Sequence, residues 1–132
     1  MLQTLLQIHS ATRYLLLALA AAALLKFVVG LVQKREPAVA DRILGSAFAG
    51  LLDLQITLGL VMVVSGFFYK ALIGHIVMMV LAAALAHGVL IANKRRAKPG
   101  FVLPLVAVGG ALLLIAGGVM AIGRGLFEAR AL

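Results

Sequence analysis

Four long apolar runs make up most of this chain and limit what it can fold into. They cover residues 8–32, 43–68, 71–92 and 101–126. An α-helix needs about 20 apolar residues to cross a hydrocarbon core of about 30 Å, and each run is long enough. The runs do not alternate between polar and apolar residues, as membrane β-strands do. Because every backbone polar group in lipid needs an internal partner, these runs predict helices.

The overall composition agrees with a lipid environment. Hydrophobic residues make up 64% of the chain and charged residues 12%. A soluble domain of 132 residues could not bury that much apolar surface. The net charge of +8 resembles that of a nucleic-acid-binding protein, but most of the basic residues lie in two short segments between apolar runs. We therefore expect the lipid bilayer, and no nucleic acid, as a partner.

Short polar segments separate the apolar runs. Pro37 closes the first segment, Ser65 and Gly66 mark the second, and Gly100 closes the third. Such residues are typical helix stop signals. Short connections make consecutive helices antiparallel neighbours. The sequence thus predicts an all-α fold, a four-transmembrane-helix up-down-up-down bundle, as a single domain over residues 1–132.

The basic residues predict an orientation for this bundle. Seven of them lie in or beside the first and third connections: Lys34, Arg35, Arg42, Lys94, Arg95, Arg96 and Lys98. The other side has Lys70, Arg124 and Arg130. Under the positive-inside rule, the two basic connections face the cytoplasm. We therefore expect a multi-pass protein of the bacterial inner membrane with both termini on the outer side.

Two histidines are the first candidates for a cofactor site. His9 and His75 are expected near the outer face of the bundle, at similar depth. Ionisable groups inside a membrane are expensive, so they suggest a function. Imidazole is a common ligand of haem iron, and two facing histidines can hold a b-type haem. The chain has no cysteine, which excludes thiolate metal sites and covalent haem attachment.

Arg13 supports the same interpretation. It follows His9 by four residues, which places both on one helical face. An arginine there could pair with a haem propionate, and Tyr14, Tyr69 and Lys70 are further candidates on that side. A structural interpretation also exists, in which His9 is solvated at the interface and Arg13 extends outward.

His87 and Asp53 form a second group of candidates. His87 follows His75 by twelve residues, about 18 Å along a helix, so the two cannot share one haem. By depth, His87 could pair with Asp53 or Lys26. Such a pair could relay protons or form a hydrogen bond between helices, and we favour the hydrogen bond.

The fourth run is rich in glycine. Its glycines include Gly109, Gly110, Gly117 and Gly118. Small residues allow helices to approach closely in lipid. They could also leave room for a flat macrocycle, and the sequence leaves both interpretations open.

Three segments resemble a known family. They are the stretch from His9 to Tyr14 (HSATRY), the stretch from Asp53 to Leu60 (DLQITLGL) and the stretch from His75 to Met79 (HIVMM). In this order they are similar to a family of small four-helix membrane proteins that is common in Bacteroidetes and often labelled cytochrome b-like. The resemblance implies that His9, Arg13 and His75 match the family's marked positions. Asp53 departs from the pattern, because a histidine can stand there in the family.

Three functions follow as hypotheses. The leading one is a b-type cytochrome with one haem between His9 and His75, which exchanges electrons with quinol or a respiratory partner. The second is a non-enzymatic accessory subunit of a larger membrane complex, or a homo-oligomer, in which the histidines are structural. The third is a small proton-coupled transporter that uses Asp53 and His87.

Overall fold

A computed structural model describes residues 1–126, and this part of the chain is helical. Helix α1 covers Leu2–Val32, α2 covers Val39–Val64, α3 covers Leu72–Lys94 and α4 covers Val102–Ala121. All four are long and apolar enough to cross a membrane. The predicted four-helix bundle is thereby confirmed. Arg130 lies outside the described residues.

The helix ends differ from the predicted boundaries by four or more residues at four places, one of which is the start of α2 at Val39 rather than residue 43. Helix α1 begins six residues early, at Leu2, and the burial of Leu6 holds its first turns against the bundle although they contain Gln3, Thr4 and Gln7. Helix α2 ends before residue 68 because Gly66 turns the chain with a φ of 98°. Helix α4 ends before residue 126, and Gly123 follows it with a φ of 72°. A positive φ is readily adopted only by glycine, so the two glycines allow these turns.

Small residues bring the helices close together, above all α3 and α4. A Cβ atom at Gly110 would lie 2.6 Å from Cδ2 of Leu85, and one at Gly118 would lie 2.7 Å from Cε of Met79. Neither distance is compatible with a side chain at these positions unless neighbours move. Close helix approach is therefore confirmed as a role of the glycines in α4.

A buried carboxylate and an arginine hold the first and third connections together at one end of the bundle. Asp41 in α2 accepts hydrogen bonds from two nitrogens of Arg35 at 2.7 and 3.0 Å, and from the backbone N–H of Ala38 at 2.7 Å. The hydrogen bond to Asp41 raises the pKa of Arg35 above its usual value. The same guanidinium stacks 4.8 Å from the ring centre of Phe101, just before α4. One cation thus links α2 to the start of α4.

Candidate functional site

A cavity of about 140 Å³ lies at the end of the bundle opposite the basic connections. All four helices contribute to it, and most of its wall is apolar. Its polar lining consists of His9, Ser10, Arg13, Gln55, Tyr69, His75 and Arg124. Among the described residues, no carboxylate belongs to this lining. We call it the histidine cavity, because it contains both of the histidines expected to act together.

His75 is held in one orientation by α4. Its Nδ1 atom lies 3.0 Å from the carbonyl oxygen of Gly118. A carbonyl only accepts, so Nδ1 must carry the proton and donate it. In the neutral ring the lone pair then lies on Nε2, which is the arrangement found in metal-binding histidines. A side chain at position 118 would separate the two helices, so the glycine makes this contact possible.

His9 lies two turns inside α1 rather than at its start, because the helix begins at Leu2. Its Nδ1 atom is buried and has no hydrogen-bond partner within the described part of the chain. A Cβ atom at Gly59 would lie 3.4 Å from Cε1 of this ring, so the glycine of α2 leaves space for the imidazole. A buried nitrogen without a partner is costly in a folded protein and therefore points to a ligand.

The backbone beside His9 is held by Gln55, for which the sequence analysis predicted no role. Gln55 in α2 is 6% exposed and donates a hydrogen bond of 2.7 Å to the carbonyl oxygen of His9. Its amide oxygen also contacts the hydroxyl of Thr12. These contacts join α1 to α2 at the level of the histidine cavity. In the sequence, Gln55 is recognisable as a polar amide within an apolar run, but its hydrogen-bond partner cannot be identified there.

The other candidates at this end of the bundle divide into two groups. Arg13 and Tyr69 line the histidine cavity together with His9 and His75. Tyr14 is not part of the lining, although its hydroxyl lies 3.4 Å from a guanidinium nitrogen of Arg13. Arg124 lines the cavity and was predicted only as a charge on this side. Lys70 is exposed and lies outside the lining.

His87 pairs with Asp53 and not with Lys26. Its Nε2 atom lies 2.9 Å from both carboxylate oxygens of Asp53. Lys26 instead lies 4.0 Å from Asp41. The side chains of His87 and Asp53 are 44% and 50% exposed, so the pair lies on the surface of the bundle rather than in its interior. The contact is the hydrogen bond between helices that the sequence favoured, while a proton relay through these two residues stays a prediction.

The donor chemistry of the histidine cavity fits a haem. A porphyrin supplies four nitrogens, so the iron needs only two ligands from the protein, and two imidazoles suffice. No group of three or more His, Cys, Asp or Glu side chains is arranged to bind a bare metal ion within residues 1–126. Arg13 and Arg124 could balance the charge of two propionates. The volume resembles that of a cavity of about 150 Å³ that binds benzene, so apolar side chains must move to admit a macrocycle.

Comparison of the chain with protein-family models, curated proteins and solved structures finds no match.

Proposed function

We propose that this protein is a membrane b-type cytochrome with one haem held between His9 and His75. One observation carries the proposal. Two imidazoles from different helices line one apolar cavity, one with its Nδ1 bonded to a carbonyl and the other with a buried nitrogen that lacks a partner.

Each residue of the cavity has a distinct role in this proposal. His75 offers Nε2 as a ligand because its other nitrogen donates to Gly118. His9 is kept in place through its own backbone, which Gln55 holds. Arg13 and Arg124 would neutralise the propionates, since the described lining contains no competing carboxylate. When bound, the haem supplies a one-electron redox centre whose potential depends on burial and nearby charge.

We further propose that the protein, with haem bound, would exchange electrons with a quinol in the membrane or with a respiratory partner. The cavity lies at the end of the bundle away from the basic connections. With those connections in the bacterial cytoplasm, as the positive-inside rule predicts, the haem would lie near the outer face of the inner membrane. The residues of the cavity hold the group, limit contact with water and provide counter-charges.

Haem titration of the purified protein tests this proposal. The wild-type protein in lipid nanodiscs should bind about one haem per chain and give a reduced-minus-oxidised spectrum of the b type. His75→Ala and His9→Ala should each lower haem affinity at least about tenfold, because each removes a side chain that would bind the iron. His87→Ala is the matched control, since it removes a histidine from α3 outside the cavity, and it should bind like the wild type.

The same titration distinguishes the accessory-subunit hypothesis. A folded wild-type protein that binds no haem, or His75→Ala and His87→Ala variants that bind equally, would refute the proposal. Stable co-purification of such a colourless protein with a larger membrane complex would support the accessory role.

A further inference from the structure

The Asp53–His87 pair has no part in the proposed haem site and lies where a membrane protein rarely exposes polar groups. Asp53 is about 21 Å from the start of α2 and about 16 Å from its end, at 1.5 Å per residue. This places it near the middle of a hydrocarbon core of about 30 Å. Both side chains are close to half exposed, so they face outward at that depth. Ionisable residues in membrane helices almost always face protein or a water-filled cavity.

The surface around this pair is suited to a second helix. On α2, small or polar residues recur on one exposed face at successive turns: Ser46, Gly50, Asp53 and Thr57. On α3, Ala84 and Gly88 are exposed beside His87. A Cβ atom at Gly50 or Gly88 would meet nothing within 4 Å. Small residues that surround a polar group are typical of contacts between membrane helices.

We infer that this α2–α3 face binds a second copy of the same chain about a two-fold axis. The face carries both an acid and a base, so it is complementary to itself, as such a contact requires. His87 uses Nε2 for Asp53 of its own chain, and its Nδ1 has no hydrogen-bond partner within residues 1–126. A second copy would bring an acceptor, its Asp53 carboxylate, and a further imidazole to this nitrogen, so the contact can form whichever tautomer the ring adopts. Any other partner would have to supply a donor and an acceptor at the same depth. The inference does not depend on haem binding.

Energy transfer between labelled chains in phospholipid vesicles tests this contact. The chain has no cysteine, so a Lys98→Cys substitution at the exposed basic end provides a single labelling site. Wild-type chains should associate, with energy transfer that falls as the lipid-to-protein ratio rises. Gly88→Leu should weaken association at least about tenfold, because it fills the open surface that the second copy needs. Ala21→Leu is the matched control on the exposed face of α1, and it should associate like the wild type.

A second pair of variants examines the polar contact. Asp53→Ala combined with His87→Ala should weaken association to a similar extent. The exchanged variant, Asp53→His with His87→Asp, should associate nearly as well as the wild type, because the face still carries an acid and a base. Far-UV circular dichroism verifies that each variant is helical. Absence of energy transfer in the wild type, or a Gly88→Leu variant that associates as tightly as Ala21→Leu, would overturn the inference.

Discussion

A methyl group at Gly118 should destabilise the bundle, although the same change at Gly109 in the same helix should not. In the Gly118→Ala variant the new Cβ would lie 2.7 Å from Cε of Met79, 3.0 Å from Cβ of Met78 and 3.4 Å from the carbonyl oxygen of His75. The end of the Met79 side chain can move, but Cβ of Met78 is attached to the backbone. Helices α3 and α4 must therefore separate slightly.

The magnitude follows from two opposing effects. Overpacking of a tight site costs about 1–3 kcal/mol. Replacing glycine by alanine within a helix favours folding by about 0.5–1 kcal/mol. With the middle of each range, the net result for Gly118→Ala is a loss of about 1 kcal/mol in the free energy of unfolding. At Gly109 the nearest atom to a new Cβ is Cδ2 of Leu24 at 3.9 Å, an ordinary contact. Gly109→Ala should therefore gain about 0.5–1 kcal/mol.

Reversible unfolding in mixed micelles, followed by far-UV circular dichroism as the fraction of dodecyl sulfate increases, measures both changes. The two variants contain the same substitution in the same helix, so intrinsic helix propensity cancels in their difference. Equal stability of the two, or a Gly118→Ala variant that is the more stable, would refute the described packing of α3 against α4.

Two further variants test the polar contacts that fix the helices. Gln55→Leu removes the hydrogen bond to the His9 carbonyl and should lower the free energy of unfolding by about 1 kcal/mol in the same micelle assay. An unchanged free energy would show that this bond does not hold α1 to α2. Asp41→Asn weakens the contact with Arg35 and should lower the thermal midpoint in detergent, because it costs about 1–3 kcal/mol of the free energy of unfolding. Glu36→Gln changes an exposed carboxylate and should leave the midpoint unchanged. Equal midpoints for the two variants would contradict the role of Asp41.

The existence of the four helices could be predicted because hydropathy and length determine it in lipid. Their exact ends could not. The ends of α2 and α4 depend on backbone conformations at Gly66 and Gly123 that hydropathy does not report.

The candidate site was predictable in its residue types but not in its contacts. The topology of an up-down bundle brings His9 and His75 to one end, and the structure places both in one cavity. That Gly118 offers its carbonyl to His75 depends on the rotation and depth of α4 against α3, which the sequence does not specify. The role of Gln55 was missed for the same reason, since its partner is a backbone atom of another helix.

The second histidine pair shows the same limit. Pairing of His87 with Asp53 could be foreseen from their depth along the helices. The exposure of this pair could not be foreseen, because it depends on how far α2 and α3 turn their polar residues away from the bundle axis.

Electron paramagnetic resonance of the oxidised, haem-loaded protein in nanodiscs tests the proposed haem site most directly. Ligation by two imidazoles predicts a low-spin ferric signal in the wild type and in His87→Ala, and its loss or conversion to a high-spin signal in His75→Ala. A wild-type protein that takes up no haem, or a low-spin signal that persists unchanged in His75→Ala, would contradict it.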